Sequence, residues 1–339
     1  MIALSKTKMW FIRSIMVCSW ILLTFIFLYS PFVSRFIYQP KSLTLFIWPM
    51  ILDARVLADF EKETGIKVYI NYYESNEELY SKLKATGGKG YDIIVPTDYM
   101  VEQLINDGFI KKIDRSKLDF FPTVRPFLLG NYFDPHNEYS IPYYLTIFGL
   151  GINKTYFGGN IPTHLSWRLV FDPQTQMNHI CMIDSPREAI LLAALYLYGT
   201  IEHIADEDKL KAIEQLLSNQ KCFVETFTSA RIEELLVSGS CPIAIGGSTD
   251  IWKAMREYPN IDFFIPDEGT FATIDSFVIS KTTNKDDLIY QLINFLYRPS
   301  IVEHNSNKYG FCPPTTNVAI NDSHIVCPTD EQFKRFSFF

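Results

Sequence analysis

Tyr91-Asp92-Ile93-Ile94-Val95-Pro96-Thr97-Asp98-Tyr99 passes from one backbone period to another within nine residues. Ile93-Ile94-Val95 is a β-branched run of the kind buried strands use, and the spacing predicts a strand over Tyr91–Val95. Pro96 cannot donate to a sheet ladder and ends it. From about Asp98, Val101, Leu104 and Ile105 recur at helical spacing. The same alternation lies upstream. Leu43–Trp48 reads as a strand, and Ala54–Thr64 as a helix with Val56, Leu57 and Phe60 on one face and Gly65 as its stop. Val68–Tyr72 is a second strand. Ser75 followed by Glu78 forms a capping box ahead of Leu79, Tyr80 and Leu83. Strand, helix, strand, helix implies a parallel sheet covered by helices.

Downstream, Ile141–Asn153 is a long apolar stretch that reads as an extended segment crossing between domains. A second alternating region follows it. His179–Ile183 is strand-like, and Ser185-Pro186-Arg187-Glu188 is a capping box with proline at the first helical position. The helix it opens runs through Tyr198 to Gly199. Asp206 caps another amphipathic helix, Cys241–Ile245 is a buried strand, and Phe271–Ser280 is extended enough to be the return crossing. Asp286–Tyr297 is a helix that Pro299 ends. Two α/β lobes joined by two extended crossings make a hinge-closing architecture.

The chain has 339 residues, comfortable for two domains, and a net charge of −7. Lys6, Lys8 and Arg13 precede an uncharged run from Ser14 to Ser34. That order reads as an export signal or a membrane anchor over residues 1–34. Without those three cations the remainder carries −7 − 3 = −10, a balance that disfavours nucleic acid and suits a cationic ligand. Cys181, Cys222, Cys241, Cys312 and Cys327 follow at irregular spacing with no C-x-x-C. Zinc and thioredoxin-like sites are therefore excluded, and disulfide pairing stays open. There is no G-x-S-x-G, H-E-x-x-H, Walker loop or G-x-G-x-x-G, and the six histidines are scattered without ligand spacing. No catalytic residue, cofactor or metal site is expected.

Several segments are more specific than their periodicity. Phe60-Glu61-Lys62-Glu63-Thr64-Gly65-Ile66-Lys67-Val68, Tyr73-Glu74-Ser75-Asn76-Glu77-Glu78 and Tyr91–Tyr99 resemble the bacterial spermidine/putrescine-binding periplasmic proteins. So do Lys112–Leu118, Tyr139–Tyr143, Asp275-Ser276, Leu292–Pro299 and Gly310–Asn317. The resemblance implies a two-lobe type II periplasmic-binding-protein fold. Lobe I would be residues 43–141 and 275–320, lobe II 154–268, with hinge crossings at 142–153 and 269–274 and a C-terminal segment at 321–339. It implies an exported, periplasmic monomer, tethered to the membrane if residues 1–34 stay attached, that delivers a polyamine to an inner-membrane ABC permease.

A polyamine is a methylene chain with ammonium groups at intervals, so its pocket needs carboxylates and aromatic faces. Carried over by position, the resemblance puts Trp48, Thr97, Tyr99, Glu188, Asp275 and Phe311 at the ligand, with Asp184 and Ser185 beside them. Blander roles are open to each: Glu188 as a capping-box member, Thr97 as a helix N-cap, Tyr99 as packing beneath its helix, Trp48 as a core aromatic and Asp275 as a turn residue. The sequence departs from the family at Pro49-Met50-Ile51, at Ser185, and at two tryptophan positions, taken here by Ile245 or Gly246 and by Thr273. The same fold also carries other cations. An organic cation such as thiamine or a ferric ion is the alternative ligand, and a sensor the alternative role. The pairs Tyr72-Tyr73 and Tyr143-Tyr144 resemble the tyrosine pairs of ferric-ion-binding relatives. Neighbours on a strand face opposite ways, however, so these pairs should be half core, half surface.

Overall fold

The computed structural model describes residues 10, 14–25, 29, 41–159, 165–172, 179–202, 204–334 and 336–337. The first lobe opens with β1 (Ser42–Ile47), α1 (Ala54–Thr64), β2 (Lys67–Tyr72), α2 (Asn76–Thr86), β3 (Ile93–Ile94), α3 (Asp98–Asn106) and β4 (Ile110–Lys111). The long β5 (Ser140–Asn153) leads into α4 (Arg168–Phe171), β6 (Ile180–Met182), α5 (Pro186–Tyr198), α6 (Glu207–Gln220) and β7 (Val224–Phe227). Then come α7 (Ile232–Ser238), β8 (Ile243–Gly247), α8 (Ser248–Glu257) and β9 (Ile261–Phe264). β10 (Ala272–Ser280) returns to the first lobe, which α9 (Asp286–Leu296), α10 (Pro299–Tyr309) and α11 (Asp330–Phe333) complete.

The strands follow one path, β2-β1-β3-β10-β5-β8-β6-β7. β1 is parallel to β2 and β3, and β6 is parallel to β7 and β8. β5 joins the halves: it pairs antiparallel with β10 through Ser140–Ile147 and with β8 through Phe148–Ile152. The cores divide at the same point, Ile147 in one and Phe148 in the other.

Local chemistry explains the boundaries. α1 ends as expected at Gly65, whose left-handed backbone (φ +73°) returns its N–H to Glu61 O. Val56, Leu57 and Phe60 are buried, each worth about 1.5–3 kcal/mol. Pro299 does more than end a helix, since it sits in the first turn of α10, where its missing N–H costs nothing. The predicted strand Tyr91–Val95 shrinks to Ile93–Ile94, and Cys241–Ile245 shifts to Ile243–Gly247. Tyr72 is exposed and Tyr73 buried, as alternation predicts for an edge strand. Tyr143 and Tyr144 are both buried, which corrects the half-surface expectation: β5 lies mid-sheet with both faces covered. At the N-terminus residues 14–25 are helical, and Ile21, Leu22, Leu23 and Phe25 are more than half exposed. Among the described residues no helix is long and apolar enough to cross a membrane. The expected signal or anchor extends over residues that lie partly outside those described.

The C-terminal segment reaches across to the second lobe. Trp252 of α8 lies against Gly310, where any Cβ would overlap the indole and where φ is +74°. The indole N–H donates to Asp322 Oδ2 at 3.0 Å, and Ile325 packs into the cluster that holds Trp252. Cys312 and Cys327 form a disulfide that closes this loop over 15 residues. Among the described residues Cys18, Cys181, Cys222 and Cys241 are free thiols. A cross-link of that span stabilises by about 3 kcal/mol. Cys312→Ser should therefore lower the denaturant midpoint of the oxidised protein to that of the reduced one. Equal midpoints for oxidised and reduced wild type would refute the cross-link.

Candidate ligand-binding cleft

Four chain reversals meet where the lobes face each other. Trp48 follows β1, and Thr97 and Asp98 follow β3 and open α3. Arg187 and Glu188 lie in the first turn of α5 behind β6, and Asp250 lies in the first turn of α8 behind β8. Crevices at the carboxyl ends of parallel strands are the usual ligand sites of open α/β sheets. Here the helix N-termini carry carboxylates, which their dipoles favour.

Asp275 sits on β10 at a β-bulge between itself and Ser276. The bulge lets it bridge Thr97, whose Oγ1 donates to Asp275 Oδ1 at 2.7 Å. Thr97 is the residue before α3 but makes no side-chain cap, so its hydroxyl serves the carboxylate instead. Asp275 is 9% exposed. Burial pushes its carboxyl up to about 7, against the opposing pull of Thr97 and of the Trp48 indole N–H. That N–H is buried and makes no complete hydrogen bond, so its pull on Asp275 is one of proximity only. Trp48 is held by Tyr73, ring centroids 4.5 Å apart.

Asp98 is a second buried carboxylate beside Asp275, at 2% exposure. Its Oδ1 accepts the Tyr99 N–H at 2.7 Å and its Oδ2 the Ile274 N–H at 3.3 Å. Burial first, and the neighbouring Asp275 charge after it, push this carboxyl to about 7 against those two N–H groups. Tyr99 is half-buried, accepts Asn76 Nδ2 at 3.0 Å on its hydroxyl, and carries the Arg187 guanidinium 3.6 Å from its ring centroid. Across the cleft Glu188 keeps a buried Oε2 with no protein partner, and burial raises its pKa. Ser185 makes no side-chain cap, so the predicted capping box with Glu188 does not form. Ser185 is half-buried and Asp184 exposed on the same turn.

Phe311 has no exposed surface and backs the wall, 4.6 Å between ring centroids from Tyr144. Tyr144, on the crossing strand, lies between Asp250 and Asp275, and burial raises its hydroxyl pKa. Asp250 holds the Gly247 N–H at 3.1 Å. Surrounding protein pushes its carboxyl upward, although the side chain also meets the cleft's solvent, which moderates the push. Of Ile245, Gly246 and Gly247, Gly247 faces Thr146 and lies closest to Asp250; Ile245 is core and Gly246 faces Ile232 first, with Asp250 farther off. Bare backbone thus forms this wall, where Thr146 pairs with Thr273 on the neighbouring crossing strand. Tyr143 is fully buried, its hydroxyl accepting Asn305 Nδ2 at 3.1 Å.

The sequence reading missed Asp98, Asp250 and Arg187 as site residues. Asp98 stood in the decisive nine-residue stretch but reads there as an ordinary helix opener. Nothing in sequence spacing brings Asp250 or Arg187 to the first lobe. Cavities of about 570 Å³ lie elsewhere, one of them on the second lobe between Ile190, Leu210, Ile213, Leu217 and Phe227. That groove is apolar, and it is the buried carboxylates, not volume, that single out the cleft as the candidate site.

Two lobes joined through shared crossing strands, with carboxylates and aromatics at their interface, define a solute-binding protein of the type II periplasmic class. The model of the bacterial extracellular solute-binding protein family matches residues 55–326, and the chain belongs to that family. It is 32% identical to the putrescine-binding periplasmic protein SpuD of Pseudomonas aeruginosa, over 88% of this chain and 87% of that one. It is 30% identical to the spermidine/putrescine-binding periplasmic protein of Salmonella typhimurium, over 82% and 78%. The fold matches the crystal structure of the spermidine/putrescine ABC transporter substrate-binding protein PotD from Streptococcus pneumoniae, with a TM-score of 0.74 at 24% identity over 88% of this chain and 93% of that one. These relatives are solute-binding proteins rather than enzymes, and they are exported.

Proposed function

We propose that this chain captures a polyamine, spermidine or putrescine, in the interlobe cleft and delivers it to an inner-membrane ABC permease. The observation that carries the reading is the buried pair Asp98 and Asp275 on the first lobe, together with the buried Glu188 Oε2 of the second lobe that has no protein partner. Buried carboxylates that close to one another are costly unless a cation joins them, and a chain bearing several ammoniums answers more than one at once. Trp48 and Tyr99 offer flat apolar faces for the methylenes between. The names of the relatives support the same ligand class. The periplasmic names of the relatives support periplasmic residence, and a tether over residues 1–34 accords with the exposed apolar helix. If the tether persists, the protein stays with membranes through a salt wash.

The test is calorimetric titration of the purified full-length chain with spermidine, putrescine and thiamine. Saturable heat with a polyamine and none with thiamine is expected; no heat with either polyamine from folded protein would sink the reading. Glu188→Gln keeps the shape and removes one charge at the half-exposed side of the cleft. It should weaken polyamine binding about tenfold, the cost of one charge-assisted hydrogen bond. Unchanged affinity would return Glu188 to a purely structural role.

A further inference from the structure

The cleft carries more negative charge than a diamine neutralises. Asp98 and Asp275 come from the first lobe, Glu188 and Asp250 from the second. Among the described residues Arg187 is the cation that acts on Asp98 and Glu188, and none acts on Asp275 or Asp250. Four carboxylates and one guanidinium leave three negative charges. Putrescine brings two ammoniums, spermidine three. A charge left uncompensated in a desolvated site is costly, and a carboxylate there takes a proton instead.

Asp98 is the most deeply buried of the four acids, at 2% exposure. Asp275 on β10, Tyr132 in the loop before β5 and Arg187 on α5 face it. Its two oxygens accept the Tyr99 and Ile274 N–H groups, one each. A carboxylate has about four lone-pair sites, so Asp98 can still accept from a ligand ammonium.

We propose that Asp98 makes the cleft selective for a triamine over a diamine, because a third ammonium meets the charge that two leave over. Asp98 is then a specificity-determining residue. The inference rests on the polyamine reading above and says which members of that class fit. With putrescine bound, one of the four carboxyls keeps a proton. With spermidine bound, all four ionise.

Two measurements on the full-length chain test this. The first is calorimetric titration of wild type and Asp98→Asn with spermidine and putrescine. Wild type should prefer spermidine by about tenfold to a hundredfold, the worth of one hydrogen bond to a charged group. In Asp98→Asn that preference should shrink to about threefold or less. The second needs no variant, and it decides alone if Asp98→Asn does not fold. At pH 6 burial keeps Asp98 and Asp275 largely protonated. Heats in buffers of different ionisation enthalpy should show spermidine releasing about one proton more than putrescine at that pH. The excess should shrink at pH 8. An unaltered preference in folded Asp98→Asn, or equal proton release by the two amines at pH 6, overturns the selection and leaves the polyamine site standing. If neither amine binds folded wild type, the polyamine reading falls and the selection falls with it.

Discussion

Asp275→Asn should bind spermidine and putrescine about a hundredfold to a thousandfold more weakly than wild type, with a thermal midpoint no lower. The two halves of this result have one cause. Asp275 is buried, and burial disfavours its ionised form until a cation meets it. Removing one partner of a buried charge pair typically costs about 2–5 kcal/mol, chiefly because the other charge is left unpaired. The ligand ammonium would be that stranded charge. The empty protein loses nothing comparable: an asparagine Oδ1 still accepts the Thr97 hydroxyl that now donates at 2.7 Å, and the desolvated charge is gone. Titration calorimetry and a thermal melt on the same sample read both halves. A variant that keeps wild-type affinity would remove Asp275 from the site, and one that melts far lower would make it a structural residue.

The second large effect is on pH. Burial raises Asp98 and Asp275 to about 7, against about 3.9 for an unfolded aspartate. Between those limits the folded, empty protein holds a proton that the unfolded chain has released. Its stability is therefore greatest near the lower limit and falls as pH rises toward the upper. One carboxyl moved that far is worth up to about 4 kcal/mol across the window. The two carboxyls lie together, so their protons come off as a pair and not independently. Below the window Asp53 acts in the opposite sense. Although burial raises it, the bonds from Lys308, His304 and the Arg55 N–H outweigh that and hold its carboxyl far below the usual range; the stability it contributes begins to fade as pH falls through about 3.9, the value of an unfolded aspartate, and is fully lost only in strong acid.

Ligand binding runs the other way, since an ammonium needs the carboxylates ionised. Affinity should rise by up to about tenfold per pH unit from 5 to 7 for each proton released, then level off. Amines stay protonated throughout that range. Titration in two buffers of different ionisation enthalpy would show the released proton as a difference in apparent heat. Equal heats, with affinity flat from pH 5 to 8, would mean that both carboxylates are already charged in the empty cleft.

Much of this was readable in the chain. α1 came from its apolar face and Gly65, and the alternating order came from local periodicity, because both depend on neighbours a few residues apart. The first-lobe half of the cleft was partly visible too: Thr97 and Asp275 lie in segments whose wording is distinctive. What escaped was everything set by contacts between distant segments. Asp98 looks like any acidic residue opening a helix until β10 is laid beside it and Ile274 donates to its carboxylate. The Ser185–Glu188 spacing meets the rule for a capping box, yet the box is absent and Glu188 keeps a free oxygen in the cleft. Tyr143 and Tyr144 follow strand alternation, but alternation says nothing about whether a second layer covers the far face.

The contact between Trp252 and Gly310 has a further bearing on how such a sequence can vary. A side chain at 310 overlaps the indole, and a left-handed backbone there disfavours one in any case. While position 252 is tryptophan, position 310 is closed to substitution. A smaller residue at 252 lifts the steric bar but leaves the Asp322 carboxylate without its indole donor. The two positions, 58 residues apart in the chain, are therefore expected to be coupled, with no change at 310 while 252 remains tryptophan. Among descendants of this sequence, the order of replacement is fixed as well: 252 has to shrink before 310 can grow.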